Sequence, residues 1–442
     1  MSELRVGRLW KGVLIAVGLG AAVLLLAACG GGGSSSTGSE TSAASTGEEA
    51  SAGESASSGG EPSGEPIVFG DVYGPPAAGG KGVLQGMEIA ANQLNEEGGI
   101  DGRPVELKAL STDASPEAVA AAYRELGQDP SVMGVSVGFI GTPTLRALSE
   151  TVKLPVISAS GNDEIDIPAS KYVFGNSFSG EYATAAVTWG VKNKGVKKIA
   201  IIHYESPSGQ SKPPAIEKRC EELGCELVDV EEGLSTDSAA KLEPALTKMR
   251  ASGAEMYFIE GQNPNGFKAA ETLGMLNEGK VIVSDNWLTA PVTAKACGKP
   301  CEGVWFATSK VRLNNLNELE PNDPVKPIGI KYKKQWAENF PKEEFNEFST
   351  YGYDEVASMA FAAEKGVKNG EEISRDSIAE NLQHFSGKEF LSFDGYYESS
   401  PEDHRLVPKE FSQGYIGAVI TLKGNEVIYS LAPDSPASGA EA

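Results

Sequence analysis

Histidine is almost absent from this chain of 442 residues, which has only His203, His384 and His404. They are scattered, so no nucleophile, base and orienting acid can be assembled around them from sequence, and catalysis of that kind is not expected. Basic side chains are also in short supply. Against 61 aspartates and glutamates stand 38 lysines and arginines, a formal charge of −23. An acidic surface repels phosphates, which argues against nucleic acid as a partner. Cysteine occurs five times. From Gly30 to Pro66 there is no aromatic or branched aliphatic side chain, so this stretch cannot build a core.

What precedes that stretch is of a different kind. Arg5, Arg8 and Lys11 lead into a run from Gly12 to Ala28 that carries no charge, the basic and apolar regions of an export signal. The run lies at the lower edge of the length that spans a bilayer, so removal rather than a membrane helix is the expectation. Leu26-Ala27-Ala28-Cys29 resembles a bacterial lipobox. The resemblance implies that Cys29 becomes the N-terminus and carries lipid, and several acyl chains on one residue hold far better than a single chain. Residues 29–65 then form a glycine, serine and glutamate tether with a root-mean-square reach of roughly 35 Å. Without residues 1–28, which carry three basic side chains and one acidic, the formal charge is −25.

The folded part is long for one core and suits two domains. Its cysteines, Cys220, Cys225, Cys297 and Cys301, form two close pairs. In an exported chain disulfides are the default, and four cysteines allow three pairings. Two local bridges are the favoured set. The two-residue spacing of a zinc site is absent and no histidine lies near either pair, so neither a metal nor a cofactor is expected.

Apolar patterning alternates strand and helix. Residues 67–72 predict a strand, and Val83, Met87, Ala90, Ala91 and Leu94 fall on one face of a helix that stops at Gly98-Gly99. Strand 105–110 precedes a helix opened by Ser115-Pro116-Glu117, and strand 132–137 precedes one opened by Thr142-Pro143. Further strands at 156–158, 173–175, 198–203, 226–230, 256–260 and 281–284 continue the alternation, which implies parallel sheets covered on both faces. After residue 307 helices dominate, and 414–431 reads as a hairpin around Lys423-Gly424-Asn425. The fold class is therefore α/β, with two similar lobes and one cleft between them, where the carboxyl ends of strands gather ligands.

Two short motifs suggest chemistry and fail on detail. GPPAAGGKG at 74–82 lacks the glycine spacing and the hydroxyl of a phosphate loop. GVSVG at 134–138 matches a nucleophile elbow, but the next helix starts near Thr142, so Ser136 is expected inside a strand. The loops 138–142 and 158–163 are rich in small residues and let a ligand approach backbone N–H groups.

The segments GVLQGMEIAANQLNEEGGIDGRPVELKALSTDASPEAVAAAYREL (82–126), LPVISASGNDEI (154–165), KKIAIIH (197–203), YFIEGQNPNGFKAAETLG (257–274) and TYGYDEVASMAFA (350–362) resemble the type 1 periplasmic binding proteins. The resemblance is to the group around the leucine/isoleucine/valine-binding protein of branched-chain amino acid ABC transporters. It implies two Rossmann-like lobes with parallel sheets joined by three hinge crossings, placed near 176–180, 307–310 and 388–393. Lobe one would be 66–178 with 309–388, lobe two 179–308 with 389–430, and 431–442 a tail. It further implies a monomer that hands a small molecule to an ABC permease, with no catalysis. Residue by residue, the family's carboxylate-gripping serine falls at Phe139 and its threonine at Asn162, with Ser160 nearby. Two tyrosines fall at Ser208 and Gln262, and the ammonium-pairing glutamate at Asn286, beside Asp285. A ligand ammonium needs an anion because an unpaired buried charge is costly. Asp285 is expected to supply it and Ser160 to serve the carboxylate, with Tyr73, Phe139 and Trp287 as walls. A ligand sensor on the same fold is the second reading, and an exported hydrolase using Ser136 the third.

Overall fold

The computed structural model of the protein describes residues 62–75, 80–138, 143–159, 170–177, 179–408 and 415–435. Cys29, Phe139, Ser160 and Asn162, the tether before residue 62 and the tail after 435 lie outside the described residues. Among the described residues no helix is long and apolar enough to cross a membrane.

Lobe one is built on β1 (Ile67–Tyr73), β2 (Val105–Ser111), β3 (Val132–Ser136), β4 (Val156–Ser158) and β5 (Val173–Gly175), all parallel. Lobe two repeats the pattern with β6 (Lys198–Tyr204), β7 (Glu226–Gly233), β8 (Met256–Ile259), β9 (Val281–Ser284) and β10 (Trp305–Ser309). After β11 (Leu391–Ser392) and β12 (Gly395–Tyr396), a small antiparallel pair, come β13 (Glu398–Ser400), β14 (Asp403–Val407), β15 (Tyr415–Lys423) and β16 (Glu426–Leu431). The two seven-stranded sheets run β13-β14-β5-β4-β3-β1-β2 and β16-β15-β10-β9-β8-β6-β7. Each has a parallel centre and an antiparallel edge.

Helices form where capping and apolar spacing agree. In Pro116–Gln128 the Ser115 hydroxyl accepts from Ala118 N–H, proline fills the first turn, and Val119, Ala122, Tyr123 and Leu126 turn inward. They meet Val68, Val72 and Val135 on one face of the first sheet. Its other face packs Phe69 and Ile157 on Met87, Val356 and Met359 from helices Gly80–Glu96 and Ser349–Lys368. Those two helices touch through glycines. A Cβ on Gly86 would lie 1.7 Å from Ser349 O, and one on Gly352 would lie 2.0 Å from Val83 O. Alanine gains about 1 kcal/mol over glycine inside a helix, but overpacking of this kind costs typically 1–3 kcal/mol and at backbone contact more. Gly86→Ala is therefore expected to lower stability by about 2 kcal/mol net in urea unfolding, and a variant as stable as the parent would mean that the helices part freely.

The chain leaves the first sheet after β5, returns after β10 and crosses again between Val407 and Tyr415. The placement of the third crossing near 388–393 is thereby corrected. β13 pairs with β14 and β14 with β5, so residues through Val407 belong to lobe one, not lobe two. Disulfides join Cys220 to Cys225 and Cys297 to Cys301, both in lobe two.

Candidate ligand-binding cleft

The carboxyl ends of β6, β8 and β9 are bound together by one lysine. Lys212 is 0% exposed, and its Nζ lies 2.7 Å from Glu260 Oε1 and 3.0 Å from Asp285 Oδ2. It also donates to Ser208 O at 2.9 Å and lies 3.2 Å from Ser208 Oγ. Burial pushes the lysine pKa down, but the two carboxylates outweigh it and the net shift is upward. Burial pushes Glu260 up to about 7, against the pull of Lys212. The remaining oxygens are held by backbone: Tyr204 N–H donates to Glu260 Oε2 at 2.7 Å and Gly261 N–H to Asp285 Oδ1 at 3.0 Å.

That arrangement corrects the role expected of Asp285. Its carboxylate is 0% exposed and already has a cation, so it is not waiting for a ligand ammonium. A sequence pattern cannot show that a lysine from another helix will occupy it. Ser208 and Lys212 do not make a catalytic pair either, because two carboxylates keep the lysine charged and unable to take a proton.

Ser208 instead becomes a node within lobe two, beside the residues that meet the other lobe. Its Oγ lies 2.6 Å from Ser179 Oγ and accepts from Trp287 Nε1 at 3.3 Å. Gln262 lies on the neighbouring turn, its Oε1 accepting from Ser206 Oγ at 2.8 Å. Trp287 meets Phe348 of lobe one edge to face, with ring centroids 5.8 Å apart. Asn286 Nδ2 donates to Tyr351 OH at 3.3 Å, and Tyr182 OH lies 3.1 Å from the same oxygen. The structure thus brings Ser208, Asn286 and Trp287 to one interlobe surface. Tyr73 is half-buried at the end of β1 and shares no hydrogen bond or ring contact with that group among the described residues. Residues the sequence did not single out complete the surface: Ser179, Thr289, Arg312, Phe348 and Tyr351. Tyr351 lies within a segment that carries the family resemblance, but nothing there marks its hydroxyl as a bridge between lobes.

On the lobe-one side Ser136 is a strand residue in β3 whose Oγ donates to the Glu355 carboxylate. It sits in register with Asp71 of β1. Among the described residues no histidine bonds to it. His404 stacks on Phe174 with ring centroids 4.5 Å apart and bonds Val173 O at 2.9 Å, so the geometry of an elbow hydrolase is missing. A cavity of about 590 Å³ lies elsewhere on lobe one, lined by Asn92, Glu96, Gln335, Glu338 and Asn339 among others. None of the interlobe residues borders it.

Two α/β lobes, three chain crossings and a polar-aromatic seam at the strand ends are the architecture of a two-lobed periplasmic-binding-protein fold. The chain belongs to the family described as periplasmic binding protein, whose model matches residues 68–416. It is 25% identical over 281 residues to the Leu/Ile/Val-binding protein homolog 3 of Brucella melitensis, covering 63% of this chain and 73% of that one. It is 26% identical over 237 residues to an amino acid binding protein of Pseudomonas aeruginosa, covering 53% and 63%. Among solved structures, an ABC transporter substrate-binding protein from Sphaerobacter thermophilus aligns with a TM-score of 0.68 at 17% identity, over 84% of this chain and 98% of the other. A solute binding protein of an ABC transporter from R. palustris, in complex with 4-hydroxybenzoate, aligns at 0.64 and 16% identity, over 84% and 98%. Members of the family bind small molecules outside the cytoplasm and work with ABC transporters.

Proposed function

We propose that this protein is a lipid-anchored extracytoplasmic solute-binding protein that captures a small metabolite, an amino acid or a related carboxylic acid, between its lobes and delivers it to an ABC importer. The observation that carries the reading is the seam itself. Trp287 and Asn286 of lobe two face Phe348 and Tyr351 of lobe one across the crossings, so a ligand bound there touches both halves at once. Such a ligand favours the closed arrangement by as much as it binds that arrangement better, which is the signal a permease can read. The anchor rests on the uncharged run 12–28 ending at Cys29 and the tether that follows. An amino-acid binding relative and a 4-hydroxybenzoate complex of the same fold make carboxylic acids the first ligands to try.

Thermal-shift screening of the full-length chain tests the reading. A bound solute at 100 times its dissociation constant adds about 2.7 kcal/mol to stability, a rise of several degrees in Tm. Trp287 fluorescence is expected to change with the same ligand, since its ring spans the seam. A panel of amino acids, aromatic acids, amides and sugars that moves neither signal would sink the proposal.

A further inference from the structure

The second crossing carries a guanidinium that has no ion pair among the described residues. Arg312 ends the short turn Lys310–Arg312 that follows β10, and it is 3% exposed. Its one hydrogen bond among the described residues is long, from NH1 to Thr289 Oγ1 of lobe two at 3.5 Å. Its plane lies over the rings of two lobe-one residues, 5.1 Å from the Tyr351 centroid and 5.9 Å from Phe348. Nε and NH2 have no hydrogen-bond partner, and Arg312 forms no ion pair with a carboxylate among the described residues. Two buried acids are close without closing on it. Glu347 Oε1 lies 3.5 Å from the Thr289 hydroxyl, which donates to Asn286 O at 2.6 Å, and Asp394 feels the arginine charge but makes no salt bridge with it among the described residues.

An arginine cannot shed its proton to escape such a site, and an unpaired buried charge is costly. Cation–π contacts with two rings offset part of that cost but leave the fork of donors unused. Nearby, the buried Asn286 leaves its Oδ1 without a donor while its Nδ2 bonds Tyr351. Donors without an acceptor therefore lie over the Tyr351 ring, and an acceptor without a donor belongs to the amide bonded to its hydroxyl. Lobe two supplies Thr289 and Asn286, and lobe one supplies Phe348 and Tyr351, so parting the lobes along Trp287 and Phe348 opens a path between them.

We propose that Arg312 is the anion anchor of the cleft, taking a ligand carboxylate in two-pronged fashion while Phe348 and Tyr351 hold a flat or apolar body against it. The proposal rests on the binding reading above and narrows it to carboxylates. A guanidinium fork matches two carboxylate oxygens in a way that an ammonium does not. Specificity follows from the same feature, since a neutral amide of equal shape leaves the charge uncompensated.

Calorimetric titration of the full-length chain with benzoate and 4-hydroxybenzoate, each beside its neutral amide, and with L-leucine and L-phenylalanine, each beside the amide that keeps its ammonium, decides the matter. At least one acid is expected to bind and its amide to bind roughly 100-fold more weakly. Arg312→Met is expected to lose the acid by a similar factor while its ligand-free melting temperature stays at or above the parent's. A structural role for Arg312 predicts the reverse, a lowered melting temperature with acid affinity intact, and that result overturns the proposal. Should Arg312→Met not fold, Arg312→Lys keeps the charge without the fork and is expected to lose about tenfold; unchanged affinity again overturns it. If amides or sugars bind as tightly as acids, the anchor is refuted while the binding reading stands. Silence from every probe, charged and neutral, removes both.

Discussion

Replacing Lys212 with methionine is expected to destabilise the protein by about 3–5 kcal/mol near pH 8, the usual consequence of leaving buried carboxylates without their cation. Glu260 and Asp285 would remain, both fully buried and a few ångströms from the lost ammonium. The loss is expected to shrink toward pH 5, because Glu260, already pushed up by burial and now robbed of Lys212, takes up a proton there and becomes neutral. A second variant separates charge from packing. Lys212→Met combined with Glu260→Gln and Asp285→Asn removes the imbalance, and it is expected to recover most of the loss, since a buried ion cluster adds little net stability over a neutral replacement. Ligand binding is expected to stay weakened even then, because Ser208 loses two of the contacts that fix it under Trp287. Urea unfolding of the parent and both variants at the two pH values checks this. A single variant no less stable than the parent at pH 8 would mean that water reaches the cluster.

The sequence announced the parallel halves of both sheets because each strand there is a compact apolar run followed by a capped helix, as in Val132–Ser136 or Pro116–Gln128. It also announced the hairpin around Gly424, whose φ of 62° suits glycine at the turn between β15 and β16. β11 to β14 were not legible. They are two to five residues long, with three serines among twelve residues and no period of two, so only the pairing of β13 to β14 and of β14 to β5 reveals which lobe that segment joins. The same gap explains the third crossing. At the cleft, Ser208 and Asn286 from the family-aligned positions and Trp287 from the expected walls lie near one another in lobe two, while Asp285 is taken up by Lys212, which comes from a helix that sequence cannot place beside it. Arg312, Thr289, Phe348 and Tyr351 come from three separate segments of both lobes. No spacing rule joins them.

Asp71 gives the second large effect, and it is one of pH. The residue sits on β1 of the first sheet, fully buried, beside Ser136, whose single proton goes to Glu355. Burial raises its pKa to about 8, and the charge of Glu88 pushes the same way. Glu355 is likewise pushed well above the ordinary carboxyl range by burial. Between the unfolded value of 3.8 and about 8 the native Asp71 keeps a proton that the unfolded chain has released. The native state then binds more protons, so stability falls as pH rises, by about 1.4 kcal/mol per unit for one such group. The contribution is complete below the unfolded value and is lost as pH climbs through the folded one. Asp71→Asn has nothing to ionise. Its stability is expected to match the parent's near pH 4 and to exceed it by several kcal/mol at pH 9, the order of magnitude that a shift of this size implies. The residual slope in the variant belongs to Glu355 and the remaining buried acids, and Glu355→Gln on top of it flattens the curve further. Melting temperatures of the parent and Asp71→Asn measured from pH 4 to 9 test this, and parallel curves would mean that Asp71 is ionised in the folded protein with a counter-charge beside it.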